Sequence, residues 1–600
     1  MKEKKTRKPL GRAGSLLVSL LITAVVGFVY FYVSLPAINP QSGDFYSFLL
    51  LLCVVYAVSV FVLSVKPADD NVVRTPREKL KDWFRFVKKS CLPVLILFAV
   101  VVVVAVVGQI ISLPIFRASA YRQLLTVQTG DFATDVAQIS FNEIPTLDRS
   151  SAEFLGDRQM GTLSDMVSQF EYSNDSTQIN YQGRPVRVAP IAYADLIKWF
   201  TNRSQGLPAY VIVDMVTQEA TVVRLSEGMK YSFSEPLNRN ILRHLRFQFP
   251  TFLFSTPEFE IDESGHPWWV APRVVKTIGL FGGADIQGAV LVDAVTGECT
   301  YYDQVPTWVD TLYTPSLIMQ QYDFHGTLIN GFINSIFGQR DVTVTTEGWN
   351  YIAIGDDVYM YTGVTSVTSD QSNIGFILSN QRTKETKFYP CAGATEYSAM
   401  ASAESQVQQM RYVATFPLLL NIADQPTYFM ALKGADGLVK MFAMVNVQQY
   451  DIVSTGATVA ECEINYRQTL ANRGLIEAGD ADIDAPNTED VLTDTASGVV
   501  ADIRSAVMGG TTQYFLQLEN GKDYFQLSAA DVPLAVLLNV GDYVEISYYP
   551  AAGGVALSAF DVRLLEAGKE PAVNPPARIV PIVPDEETVP PELEFLENGN

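Results

Sequence analysis

Apolar residues run without interruption in three places near the start of the chain, and alternate with polar ones through most of the remainder. Leu16 to Leu35, Tyr46 to Val65 and Cys91 to Leu113 contain no charged residue. Each has the length, about 20 residues, that carries a helix across a hydrocarbon core of about 30 Å. They predict three transmembrane helices, over 16–35, 46–65 and 91–113, in an anchor spanning 16–113. The first run is too long for the apolar core of a signal peptide, and no small-x-small cleavage site follows at SLPAINPQ, so it reads as a retained span.

Charge sets the expected orientation. Residues 1–15 carry Lys2, Lys4, Lys5, Arg7, Lys8 and Arg12, the 66–90 loop is rich in lysine and arginine, and PAINPQSGDF between the first two spans has neither. Lysine and arginine near span ends favour the cytoplasmic side. The N-terminus is therefore expected in the cytoplasm and everything after about Pro114 on the far side. Within PREKLKDWFRFVKKS, Leu80, Trp83, Phe84 and Val87 share one helical face ringed by lysines. That pattern predicts a helix on the inner leaflet leading into the third span, or a positively flanked stop signal.

Beyond the spans the alternation has period two, the signature of strands. Three segments align without gaps: AYVIVDMVTQEATVV (209–223), GAVLVDAVTGECTYY (288–302) and GFILSNQRTKETKFY (375–389). Each has an apolar run, a polar turn with threonine, a glutamate two residues on, and a second β-prone run. A looser fourth copy is TYFMALKGADGLVKMFAMV (427–445). Two such runs about a short polar turn make a β-hairpin, which needs a larger sheet or a helix to be stable. ADLIKWFTNR (194–203) and TEYSAMASAESQVQQMRYVA (395–414) supply helical candidates, so 114–473 reads as a repeated α+β unit. TTEGWNYIAIGDDVYMYTG adds a further hairpin about GDD.

VDAVTGE at 292–298 and VDMVTQE at 213–219 resemble the strand-turn-strand core of PepSY and YpeB-type domains. The resemblance covers about 15 residues per copy, and the third copy departs from it at Asn380 and Lys384. It implies an exported or membrane-anchored bacterial protein with a binding or regulatory role, sometimes linked to peptidases, and it carries over no catalytic residue.

The acidic stretch 474–496 reads as a linker. Residues 497–568 hold five strand candidates with turns at GG and NG and a short helix, DVPLAVLLNVG, before the fourth strand; this is the order of an OB-like barrel. Residues 569–600, rich in proline and acids, are expected to be extended. The predicted fold class is α+β: three transmembrane helices, a PepSY-like helix/β-hairpin ectodomain and a small five-stranded OB-like barrel.

The chain holds 65 acids against 43 bases, a formal charge of −22. Because the basic segments lie in the first 90 residues, the ectodomain is more acidic still. Such a surface repels phosphates, and the barrel offers only Arg504, Lys522 and Arg563 as cations, so no nucleic-acid partner is expected. Five scattered cysteines and three histidines suggest neither a disulfide framework nor a zinc site. The chain has no GxSxG, HExxH or P-loop. EIDESG imitates the start of a calcium loop but has Ala271 at the twelfth position, which favours a hairpin turn.

No catalytic, cofactor or metal residue is assigned. The candidate ligand-binding residues are Asp262, Glu263, His266, Trp268 and Trp269. The two tryptophans could form a platform for a glycan or peptide, or could cover the sheet; His266 beside the acids could do acid/base work. The expected role is a membrane-anchored extracytoplasmic binding, scaffold or regulatory protein of a Gram-positive envelope, whose partners are the bilayer and a protein or wall component. The alternative is an envelope hydrolase or a direct regulator of one.

Overall fold

The computed structural model describes residues 12–64, 76–138, 144–163, 165–366, 372–477, 494–508, 511–519, 521, 524–528, 532–548 and 557–565. Most of the basic N-terminus, residues 66–75 of the second loop, most of the acidic linker and the 569–600 tail lie outside the described residues. The chain divides into two compact units, Met1–Asp482 and Ile483–Asn600.

Among the described residues, three helices are long and apolar enough to cross a membrane: α1 (Arg12–Ser34), α2 (Gly43–Ser64) and α3 (Pro76–Ile111). Most of their side chains face outward, as lipid-facing residues do. The basic amphipathic segment is not a separate helix. It is the first part of α3, which continues through Pro93 for 36 residues. Trp83 ties it to α2, donating from Nε1 to Ser64 Oγ at 2.9 Å and packing edge-on against Phe61.

The sheets sit directly on the ends of these helices. The connection between α1 and α2 donates from Ile38 N to Pro250 O and from Asn39 Nδ2 to Thr251 O. Just past α3, Ser112 Oγ accepts from Leu280 N and Phe281 N at 2.9 and 3.0 Å. The α1–α2 loop and the exit of α3 therefore lie on the same side as the sheets. Helix α4 (Pro114–Arg122) follows α3 at once.

After the short strand β1 (Val127–Thr129) and helix α5 (Arg149–Gly161), one strand pattern occurs four times. The first module comprises β2 (Phe170–Tyr172), β3 (Thr177–Tyr181), β4 (Arg184–Tyr193), then helix α6 (Leu196–Asn202), β5 (Leu207–Asp214) and β6 (Ala220–Met229). Strands β2 and β3 pair end to end along one edge of β4, and β4, β5 and β6 form a meander. Helix α7 (Ile241–Gln248) leads to the second module, β7 (Leu253–Phe254), β8 (Glu258–Ile261), β9 (Pro267–Ile278), β10 (Gly282–Asp293) and β11 (Cys299–Tyr302).

Helix α8 (Pro315–Thr327) precedes the third, β12 (Thr343–Thr345), β13 (Asn350–Ile354), β14 (Asp357–Ser366), β15 (Ser372–Asn380) and β16 (Thr386–Ala394). Strand β1 adds to its edge, parallel to β16. Helix α9 (Glu396–Gln406) precedes the fourth, β17 (Val413–Ala414), β18 (Leu418–Ile422), β19 (Gln425–Lys433), β20 (Val439–Asn446) and β21 (Val453–Gly456), which α10 (Val459–Asn472) closes. In every module the first two strands share an edge of the third.

The three aligned hairpins are β5–β6, β10–β11 and β15–β16, the last pair of strands in modules one to three. Residues 427–445 form β19–β20 instead, the pair before it. The true fourth equivalent is β20–β21, whose loop is one residue longer: Asn446 N bonds Ile452 O, whereas Asp214 N bonds Glu219 O. The longer loop has no threonine with a glutamate two residues on, which is why the apolar pattern aligned one strand early.

Modules one and two share one core, in which Phe259, Trp269 and Val290 meet Val188, Val211 and Val213. Modules three and four share another, centred on Tyr361, Phe376, Leu420, Phe429 and Met444. Sheets thus bury one face against a neighbouring module, the arrangement a lone hairpin cannot reach.

In the second unit, β22 (Asp494–Met508), β23 (Thr511–Leu518), β24 (Tyr524–Ser528), β25 (Tyr543–Tyr548) and β26 (Leu557–Leu564) close into a barrel in the order β22-β23-β24-β26-β25. A 3-10 turn at Pro533–Leu537 lies between β24 and β25. Leu516, Leu527, Val544 and Ile546 fill its interior.

Candidate functional site

The outer face of the second sheet gathers the chemistry. Strand residues alternate in direction, so Phe259 and Trp269, which pair across β8 and β9, point into the core shared with module one. Glu260 and Trp268, the next pair, point the other way. A platform of both tryptophan rings is therefore not formed. Trp269 is fully buried, stacks edge-on against Phe233 and Phe259, and donates from Nε1 to Tyr231 O. Only Trp268 remains half-exposed, beside His266 at 5.4 Å and Trp308 at 5.9 Å between ring centres.

Asp262 organises the turn at the tip of β8–β9. Its Oδ1 accepts from Ser264 N, Ser264 Oγ and His266 N, and its Oδ2 accepts from Trp268 Nε1 at 3.0 Å. Partial burial pushes its proton affinity up, but these bonds outweigh it, so the carboxyl sits below its ordinary pKa. Its four accepted bonds hold the turn, which is the hairpin reading of EIDESG rather than a calcium loop. Glu263 is exposed at the apex. His266 Nε2 lies 3.2 Å from Asp293 Oδ1, and Tyr210 of module one donates to Gly265 O at 2.8 Å. Four of the five candidate residues thus share one rim, and the fifth belongs to the core.

Below the rim, segment 305–313 lies across the sheet and brings three modules together at two buried acids. Glu260 accepts from Asp310 N at 3.0 Å and from Thr311 N at 2.9 Å. Asp310 Oδ2 accepts from Asn180 N of module one at 2.6 Å, and Asn180 Nδ2 donates to Gly355 O of module three. Leu312 N and Tyr313 N both donate to Gln381 O. Beside this junction Asp357 pairs with Arg382 and accepts from Asn380 Nδ2.

Burial raises the pKa of Glu260 well above the usual carboxylate range, and the nearby Asp310 adds to this against the two amide bonds. Burial also pushes Asp310 up to about 7; the Asn180 amide opposes it, and Asp357 and Asp356 reinforce it. The side chain of Gln381 is buried there with neither end hydrogen-bonded.

Sequence reasoning passed over this junction. Glu260 stands in EIDESG, and Asp310 in VPTWVDTLY, where no motif marks it. Glu258-Phe259-Glu260-Ile261 alternates as a strand with one solvated face does, so nothing in the letters signals that the face of Glu260 is covered. Among the described residues, no cluster of histidine, cysteine or acidic groups has the geometry to hold a metal ion, and all five cysteines are free.

No family model matches the chain, and no curated protein matches it either. Among solved structures, a crystal structure of a B. megaterium levansucrase mutant is similar at 9% identity and a TM-score of 0.17, over 74% of this chain and 97% of that one. A likeness of that size assigns neither fold nor activity.

Proposed function

We propose that this chain is a membrane-anchored extracytoplasmic protein of a Gram-positive envelope that binds or regulates a protein or wall partner, built of PepSY-like modules and an OB-like barrel. The PepSY-like reading is supported by the recurrence of one helix-plus-sheet module whose last hairpin turns, in modules one to three, on Asp-x-x-Thr or its asparagine variant. The barrel order, with a short helical turn between the third and fourth strands, supports the OB-like reading. The basic residues before α1 and along the start of α3 support the orientation.

The observation that carries the binding role is the use made of the acids. Glu260, Asp310 and Asp262 each accept hydrogen bonds from within the protein, and what lies outward of them is a rim of Glu263, His266 and Trp268. A rigid polar and aromatic rim over an interlocked base suits contact with a partner more than turnover. A photocrosslinking residue at Glu263 of the full chain in its own envelope should give a discrete adduct that W268A weakens. If Glu263 yields no more adduct than the exposed position Ala435, the role is wrong. The hydrolase alternative draws on the paired acids with raised pKa. It requires that the purified chain cleave wall fragments and that E260Q abolish the cleavage.

A further inference from the structure

Two groups of large apolar side chains project from the sheet-bearing region where it meets the spans. The first follows α3. Helix α4 exposes Ile115 and Phe116 and packs against the turn Gly331–Gly338, which exposes Ile333, Ile336 and Phe337, the last at 82%. That turn is held from behind. Phe332 packs on the cluster of Tyr121, Ile278 and Leu328, while Asn330 and Asn334 donate to Arg340 O at 3.1 and 3.0 Å. The apolar tips are thus presented outward by a fixed base.

The second group lies beside α1. Helix α6 packs the half-buried Trp199 against the first core and exposes Leu196, Ile197 and Phe200, at 70, 72 and 60%. The neighbouring loop exposes Leu237 and connects to the end of the first span: Tyr32 donates from its hydroxyl to Asn238 Oδ1 at 3.0 Å. Arg239 Nη1 donates to Arg203 O at 2.7 Å, which fixes the loop to α6. Each group therefore continues the apolar surface of a span, and basic side chains stand beside both, Arg117 and Arg340 at the first, Lys198, Arg203 and Arg239 at the second.

We propose that α6 with Leu237, and α4 with the 331–338 turn, are two interfacial feet that sink into the leaflet on the sheet side and fix the angle of the modules over the membrane. Exposed apolar surface of this extent marks an interaction site. Continuity with the spans makes that partner lipid rather than protein, and apolar tips flanked by five bases against Asp195, Glu235 and Asp341 match the acyl-headgroup boundary of a leaflet that contains anionic lipid. The inference rests on the reading of α1–α3 as spans.

The test uses the full chain in vesicles of phosphatidylcholine and phosphatidylglycerol, with an environment-sensitive fluorophore on single added cysteines and the unaltered chain as blank. Labels at V29C (in α1), I197C, F337C and A435C are compared for emission wavelength and for quenching by lipids bearing a nitroxide near the headgroup. Blue-shifted, quenched emission at I197C and F337C, with none at A435C, is the expected result. Emission at I197C and F337C indistinguishable from A435C, with V29C still quenched by nitroxides deeper in the chains, overturns the feet alone. Loss of quenching at V29C as well overturns the spans beneath them.

Discussion

Carboxylate and carboxamide oxygens hold backbone amides in two places, and the two differ in where those amides come from. In the repeated hairpin turn the donors are local. Asp214 Oδ1 accepts from Val216 N and Thr217 N, and Asp293 from Val295 N and Thr296 N. Asn380 does the same for Arg382 N and Thr383 N, and Asn446 for Gln448 N and Gln449 N. At the junction the donors are remote: Glu260 holds amides fifty residues away, and Asp310 holds one from another module. The turn works equally with aspartate or asparagine, so its charge is dispensable and only the oxygen counts. The junction places acids where water is excluded, so protonation becomes part of its stability.

Removing the remote acceptor should have the largest effect. E260A leaves two buried amides without a partner, and each costs about 1–3 kcal/mol; a loss of about 4 kcal/mol is expected in urea unfolding of the full chain in detergent. E260Q keeps one acceptor oxygen and should lose about half of that. If E260A is neutral, the modules are not held by this contact.

Proton linkage sharpens the contrast next. Asp310 has a folded pKa of about 7, against about 3.9 when unfolded. Between those values the folded state keeps a proton that the unfolded state has released. Stability therefore falls as pH rises through this window, by about 2 kcal/mol from about pH 5 to about pH 7. Glu260 acts in the same direction. D310N should flatten this slope. Unfolding midpoints at the two pH values measure it.

A third, smaller effect separates the turns from one another. Their fourth residue after the aspartate or asparagine has positive φ in modules one to three: Gln218 at 63°, Gly297 at 80° and Lys384 at 65°. Side chains are tolerated there in two of the three, but a Cβ on Gly297 would lie 2.2 Å from the Tyr231 ring. G297A should cost about 1.5 kcal/mol, because the Tyr231 ring packs directly over this position. A neutral result in thermal unfolding would show that the ring moves aside freely.

The smallest effect belongs to the local oxygen itself. D214A should cost about 1 kcal/mol, and D214N only a few tenths, since Oδ1 persists and the lost pair with Arg184 is exposed. Equal losses in thermal unfolding for the two variants would mean that charge, not the acceptor, fixes the turn.

What could be read from the sequence follows the same division. The spans, the three gapless hairpins, the helix at 194–203 and the five barrel strands depend on contacts within a few residues or on partition into lipid. These leave periodicity, turn residues and uncharged runs in the order of the letters. The fourth hairpin was displaced because its longer loop lost the turn signature while its strands stayed equally apolar. The candidate rim was found through Asp262 and His266, which are near neighbours in sequence, but Trp269 was assigned to it because adjacent tryptophans look alike until a strand sends them to opposite faces.

By itself the sequence determined the membrane anchor, the alternation that makes each sheet, and the oxygen that turns each hairpin, all of them set by local sterics and by solvent. Only the tertiary structure decided which face of each sheet is buried, that modules pair to share cores, and that Glu260 and Asp310 meet amides far along the chain, Asp310 one from module one. Those contacts join residues far apart in the chain. Their free energy comes from excluding water between surfaces, and no short stretch of residues records which surfaces will meet.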